Sequence, residues 1–265
     1  MKGIILAGGT AARLFPLTAT TSKQLLPVYD RQMIFYPLNT LVKAGIREIL
    51  VIVAPDHSGH FLNLLGPMFD KSEIKIEFMV QKTPRGLAEA FILGEGFIDN
   101  DNVALILGDN IFENDFSEEI KEFKSGGHIF AKKVADPERF GVVKFDKDGR
   151  AIKIVEKPKE WLSDYVVTGL YLYDNRVVGA AKNLKPSERG EIEIVDLHNF
   201  YLEQGELKVT PFEGAYLDAG THDSLSEASR VVKEKGIYKK FHPLVDKAIT
   251  NFSQELKEIS KKKLI

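Results

Sequence analysis

The chain has 265 residues, with 38 acidic against 36 basic side chains and a net charge of −2. No basic excess exists to neutralise a nucleic-acid backbone, so any phosphate site must be local and built from a few placed cations. Hydrophobic residues make up 44% and charged residues 28%, with no apolar run near the length of a bilayer span, which argues against a membrane helix. The absence of cysteine removes disulfides, thiolate zinc sites and thiol nucleophiles together. The N-terminus also lacks a secretory pattern, so the expectation is a cytoplasmic protein.

In chain order, Gly3 to Leu6 is an apolar run long enough for a buried strand and too short for a helix. The helix-like Met33 to Val42 is stopped by Gly45 and followed by a strand at Ile49 to Val53. Helical patterns near Phe61 to Leu65, over Leu87 to Phe97 and over Phe116 to Phe123 alternate with strands at Ile74 to Val80, Val103 to Leu107 and His128 to Lys133. Such alternation predicts parallel strands with crossover helices in a Rossmann-like doubly wound α/β sheet, mixed once the β-rich second half joins it, whose ligands sit at strand carboxyl ends. From Phe140 the rhythm becomes β-rich. Gly141 to Phe145 and Ala151 to Val155 flank Asp146-Lys147-Asp148-Gly149, a hairpin signal. Val166 to Tyr173, Leu207 to Pro211 and Ala215 to Leu217 read as strands, Asn175 to Asn183 and Ile192 to Glu203 as helices, and Thr221 to Lys235 as a capped helix. One unit over residues 1–235, with a β-rich lobe at about 139–215, and a helical tail over 236–265 are therefore expected.

Several motifs fall at these strand ends. After the first strand come Ala7-Gly8-Gly9-Thr10-Ala11-Ala12, all small, then Arg13 and, ten positions on, Lys23-Gln24. Small residues let backbone amides approach a ligand, and the two cations suit an oligophosphate. The loop matches neither the dinucleotide fingerprint nor the Walker loop. Leu107-Gly108-Asp109-Asn110 and Leu217-Asp218-Ala219-Gly220-Thr221 each place an aspartate after a strand. Alone, either reads as a turn or cap; together, beside a phosphate loop, they suit a hard cation such as Mg²⁺. Glu156-Lys157-Pro158 offers a phosphate cation and a hydroxyl acceptor, although in isolation it is an ordinary exposed pair. Gln81, before Pro84-Arg85-Gly86-Leu87-Ala88-Glu89-Ala90, has an amide with a donor and an acceptor, enough to read one edge of a pyrimidine. His57 and His60 lack metal spacing, and Trp161 reads as core or lobe surface rather than a base-stacking platform.

This ordered set resembles the sugar-1-phosphate nucleotidyltransferase family, and within it most closely the members that couple dTTP to glucose 1-phosphate. The resemblance covers about the first 230 residues. It implies a nucleotide-diphospho-sugar transferase-like fold whose lobe binds the sugar, with Leu6, Gly8, Gly9, Ala11, Ala12, Arg13, Lys23, Gln24, Gln81, Gly86 and Asp109 on the nucleotide. It further implies Leu87, Asn110, Gly141, Glu156, Lys157 and Val167 on the sugar phosphate. Asp109 and Asp218 would hold Mg²⁺, and the catalytic set would be Arg13, Lys23, Asp109, Lys157 and Asp218. The implied substrates are dTTP (or UTP) and glucose 1-phosphate, with pyrophosphate as a product; the implied assembly is a homotetramer.

Two departures stand out. The family loop usually reads Gly-Gly-x-Gly-Thr-Arg, so Ala11 replaces a glycine, which is costly if that position needs positive φ. A regulatory nucleotide site in longer members uses a Tyr-Gly-His-like turn that here reads Phe112-Glu113-Asn114-Asp115, so end-product inhibition is not expected. A UTP-preferring enzyme and a non-catalytic sensor that keeps the fold remain as alternatives, with a dinucleotide-dependent oxidoreductase a weaker third.

Overall fold

The structure is a computed structural model that describes residues 1–9 and 12–262, with side chains described to Glu258. Its strands in chain order are β1 (Lys2–Ala7), β2 (Pro27–Val28), β3 (Arg31–Gln32), β4 (Glu48–Val53), β5 (Lys75–Val80), β6 (Val103–Leu107) and β7 (Asn110–Phe112). They continue as β8 (Gly127–Lys133), β9 (Gly141–Phe145), β10 (Ala151–Glu156), β11 (Tyr165–Tyr173), β12 (Leu207–Pro211) and β13 (Tyr216–Asp218). The helices are α1 (Phe35–Lys43), α2 (Ser58–Phe69), α3 (Glu89–Leu93), α4 (Glu95–Ile98), α5 (Ser117–Glu122), α6 (Arg176–Asn183), α7 (Ile194–Glu203), α8 (His222–Glu234) and α9 (Pro243–Lys262).

Nine strands form one sheet. β6, β1, β4 and β5 lie side by side and parallel. β11 runs antiparallel to β6 and to β8, and β12 joins β8 in parallel. The expected mixed sheet is therefore present, and β11 is the strand that runs against β6, a direction that an apolar run does not carry. β11 also changes partners along its length: Leu170 to Tyr173 pair with β6, whereas Val166 pairs with Val142 of β9, which forms the hairpin with β10. Gly169 sits at that changeover, where a side chain would run into Asn110 and Leu107.

Successive residues of the central strands point to opposite faces, and both faces are buried, which is why these strands read as unbroken apolar runs. Ile5, Ala7, Val51 and Ile106 join a core with α1, α2, α8 and α9. Ile4, Leu6, Leu50 and Leu105 join a second core with α3, α6 and α7. Val245 and Ala248 of α9 belong to the first core, so the tail helix is packed against α1 and α2.

The helix expected over Leu87 to Phe97 is broken into α3 and α4 at Gly94. A Cβ there would lie 3.0 Å from Ile4 Cδ1 and 3.4 Å from Leu50 Cδ2, so the chain passes the sheet too closely for a side chain. The strand expected at Ala215 to Leu217 lies one residue later, at β13, and pairs with β7, which the sequence did not announce. The expected cap of α8 is present as a reciprocal capping box between Thr221 and Ser224.

Candidate active site

Three parallel strands end together. β1 runs into Gly8, β5 into Gln81 and β6 into Gly108-Asp109; Gly108 N donates to Leu6 O at 2.9 Å and Gln81 N to Val53 O at 2.9 Å. Between these ends opens a cleft of about 200 Å³. Its apolar lining comes from Leu6, Pro84, Leu87 and Leu107, its backbone lining from Gly8, Gly9 and Gly86, and its polar groups from Lys23, Gln24, Gln81, Asp109 and Glu191. Nine predicted site residues therefore meet around one opening: Leu6, Gly8, Gly9, Lys23, Gln24, Gln81, Gly86, Leu87 and Asp109.

The glycines are needed where they stand. A Cβ on Gly8 would lie 2.6 Å from Gln81 Oε1. Gly86 has φ of +100° and touches the Ile192 backbone, which in turn donates from Ile192 N to Arg85 O at 2.7 Å. The amide of Gln81 is less free than the sequence suggests. Its Nε2 donates to Glu89 Oε2 at 2.8 Å, both residues being buried, so one N–H is committed inward and the oxygen lies toward Gly8. Gln24, 2% exposed, accepts from Ser22 Oγ at 2.6 Å.

Asp109 and Asp218 are joined by the β7–β13 ribbon, in which Asp218 pairs with Asn110 and Ala219 N donates to Asp109 O at 3.1 Å. Lys23 Nζ donates to Asp109 Oδ2, both side chains largely covered. Burial first, and then the nearby charge of Asp109, push Asp218 up to about 6, opposed by Lys23, Arg13 and Arg139. Arg13, exposed in a short 3₁₀ turn that also contains Ala12, reaches back so that a Cβ on Gly220 would meet its Nη2 at 3.0 Å and Asp218 Oδ1 at 3.1 Å. Asn110 is 2% exposed; it donates to Asp109 Oδ1 at 3.0 Å and accepts from Tyr216 OH at 2.9 Å, so in this state its side chain braces the carboxylate pair. Thr10 and Ala11 lie outside the described residues, and with them the Ala11 question.

On the hairpin side, Gly141 opens β9, and a Cβ there would meet Glu156 Oε2 at 3.4 Å and Val167 Cγ2 at 3.8 Å, so these three predicted residues are neighbours. Lys157 has φ of +43° and stands 49% exposed, its Nζ 3.5 Å from Glu156 Oε1. Tyr171 links the two sides. Burial raises its phenol far above the ordinary range, and the charges of Glu156, Asp109 and Asp218 add to that.

Glu89, Tyr171, Tyr216, Glu191 and Arg189, whose Nη2 lies 3.6 Å from Glu156 Oε1, were not among the sequence candidates. Glu89 and Tyr171 carried a signal only through their places inside the Gln81 and Val167 motifs. Among the described residues, no group of three or more His, Cys, Asp or Glu side chains could hold a metal, and no helix is long and apolar enough to cross a membrane.

A cleft at parallel strand ends, lined by a lysine and carboxylates, stands where α/β folds of this kind bind their ligands. The chain belongs to the nucleotidyl transferase family, whose model matches residues 2–235. It is 55% identical over 239 residues to the glucose-1-phosphate thymidylyltransferase of Neisseria meningitidis, covering 88% of this chain and 83% of that one. The Mycolicibacterium smegmatis enzyme of that name is 50% identical over 238 residues, covering 88% and 82%. A Bacillus anthracis crystal structure, assigned as a glucose-1-phosphate thymidylyltransferase and solved with sucrose, superposes with a TM-score of 0.85 at 41% identity, covering 93% of this chain and 99% of that one. A UDP-glucose pyrophosphorylase complexed with UDP-glucose, 21% identical with a TM-score of 0.76, covers 88% and 98% and shares the fold.

Proposed function

We propose that the chain is a glucose-1-phosphate thymidylyltransferase, joining dTTP and α-D-glucose 1-phosphate to give dTDP-glucose and pyrophosphate. The observation that carries this reading is the meeting of Gln81, Gly8, Lys23 and Asp109 around one cleft, in a chain about half identical to enzymes of that name.

Both reactants are strongly anionic, so the task is positioning and charge neutralisation rather than covalent chemistry. The sugar phosphate oxygen attacks the α-phosphorus in line, a P–O bond forms there, and the bond to the departing pyrophosphate breaks opposite. Gln81 and the Gly86 backbone hold the base, and the small residues after β1, Gly8, Gly9, Ala11 and Ala12, let the phosphates approach. Arg13 neutralises the triphosphate and the leaving pyrophosphate; Lys23 serves the phosphates near the reacting centre. Lys157 takes the sugar phosphate, and Glu156 accepts from sugar hydroxyls beside Gly141 and Val167.

Asp109 and Asp218 suit Mg²⁺. Burial and then the charge of Asp109 raise Asp218 to about 6, and Asp109 already holds a cationic ammonium, as a hard cation site would. With two protein carboxylates, the remaining ligands would be phosphate oxygens and water. The bound ion would supply charge neutralisation at the α-phosphate.

The turn after β7 is tied down: Glu113 accepts from Ala215 N at 2.9 Å and lies 2.8 Å from Lys235 Nζ, while Asp115 lies 3.4 Å from Lys43 Nζ. We therefore expect no end-product inhibition through that turn. A cytoplasmic homotetramer acting in nucleotide-sugar supply for polysaccharide, such as the dTDP-rhamnose route, completes the proposal.

Pyrophosphate release with dTTP, UTP and other nucleoside triphosphates, each paired with a panel of sugar 1-phosphates, tests it. Release is expected with dTTP and glucose 1-phosphate in the presence of Mg²⁺. None with any pair would favour a non-catalytic sensor, and faster release with UTP would make the chain a uridylyltransferase.

A further inference from the structure

Resting on the pyrimidine-reading role given to Gln81, we infer that Glu89 is a positioning residue that sets base specificity by locking the Gln81 amide with its oxygen toward the base. Gln81 is 5% and Glu89 8% exposed, and Gln81 Nε2 donates to Glu89 Oε2 at 2.8 Å. The side-chain oxygen and nitrogen of glutamine have nearly the same shape, so an amide is held in one sense only by its partners. A carboxylate accepts and does not donate. Rotating the Gln81 amide by half a turn would set its oxygen against Glu89, two acceptors facing each other away from water, which is strongly disfavoured.

The other Glu89 oxygen lies 3.7 Å from Arg85 Nη1, on the loop that carries Gly86. On the opposite side, Gln81 Oε1 lies where a Cβ of Gly8 would come within 2.6 Å, at the wall of the cleft. The cleft is thus shown a fixed acceptor. Thymine and uracil carry an N–H at ring position 3 that can donate to it; cytosine has a bare nitrogen there and meets acceptor with acceptor. A polar pair matched in this way discriminates far more sharply than apolar fit. With Glu89 gone, the amide turns freely and can offer N–H instead.

The test is calorimetric titration of the full chain in Mg²⁺ with dTTP, UTP and dCTP, for wild type, Glu89→Leu, Glu89→Asp and Glu89→Gln, beside steady-state kinetics. Wild type is expected to prefer dTTP and UTP to dCTP. Glu89→Leu should cut the dTTP-to-dCTP preference by roughly tenfold, raising KM for dTTP while kcat stays within about twofold. Glu89→Asp, which withdraws the acceptor by one methylene, should move the same way, and so should Glu89→Gln, whose own amide can turn to offer N–H to a flipped Gln81 oxygen and so no longer fixes its sense. An unchanged preference in folded Glu89→Leu or Glu89→Asp overturns the inference, as does weakening that is equal for all three nucleotides. Wild type that binds dTTP over dCTP yet releases no pyrophosphate would sink the proposed reaction and leave the binding test intact.

Discussion

The half of the site proposed to take the nucleotide stands on the buried ends of β1, β5 and β6, whereas the half proposed for the sugar phosphate stands on the β9–β10 hairpin and the chain after it. In the first, Gln24, Gln81 and Glu89 are at most 8% exposed, and Gln24 and Gln81 accept or donate short hydrogen bonds within the protein. In the second, Lys157 is 49% exposed and stands 3.5 Å from Glu156, while Arg189, 3.6 Å from Glu156, is held by Glu193 at 2.9 and 3.0 Å. A buried polar group holds its geometry because losing its partner is costly, while exposed ion pairs contribute little and shift easily. The Gln81 amide is therefore prearranged, whereas Lys157 is free to move toward an anion.

The largest effect should come where both halves depend on one group. Asp109→Ala removes the partner of Lys23 and half of the carboxylate pair, and should lower kcat by roughly 10²-fold or more; Arg13→Ala should act similarly through the leaving pyrophosphate. Turnover near wild type in the pyrophosphate assay would remove that residue from the mechanism. Gly8→Ala should separate the halves next. Its methyl displaces Gln81 Oε1, so KM for dTTP should rise about tenfold or more while KM for glucose 1-phosphate holds. If the two constants rise together, the nucleotide half is not independent. Lys157→Ala is the reciprocal break, with KM for glucose 1-phosphate raised several-fold to tenfold and dTTP affinity, read by titration, unchanged.

The smallest effect is on stability. His198, buried under β11 without a partner for Nε2, is held down by burial to about 3 from 6.5. Below pH 6.5 the unfolded chain takes a proton that the native state refuses, so stability is full above 6.5 and declines as pH falls toward 3. Asp218 works in the opposite sense: raised from 3.8 to about 6, it favours the native state as pH drops through that window. Melting temperatures of wild type and His198→Phe between pH 7 and 4 separate the two, the variant losing less on acidification. Parallel curves would show that His198 does not govern the acid side.

What could be read in advance follows from how each element is stabilised. β1, β4 and β6 are covered on both faces, so burial wrote itself into unbroken apolar runs. The β9–β10 hairpin carried its turn in Asp146 to Gly149, where Gly149 has φ of +78°. β2, β3 and β7 span two or three residues, too few for any period, and β7 is defined by a partner far along the chain. The antiparallel insertion of β11 left no trace in its letters, since direction is set by the route of the connecting chain. In the site, the residues at strand ends were legible because motif and topology agreed. Glu89 and Arg189 act through side chains that converge only after folding, and nothing about a glutamate at a helix start says which amide it will hold.

The β7–β13 ribbon has a consequence in time. Tyr216 and Asn110, which clasp across it, are 106 positions apart, and closing so long a loop comes late among a fold's contacts. β1, β4, β5 and β6 are all made before residue 108, so a growing chain owns the strand ends of its base pocket long before Asp218 emerges. The second carboxylate is delivered by nearly the last part of the sheet system to be synthesised. The proposed metal pair is thereby assembled only after the last strand of the chain has been made.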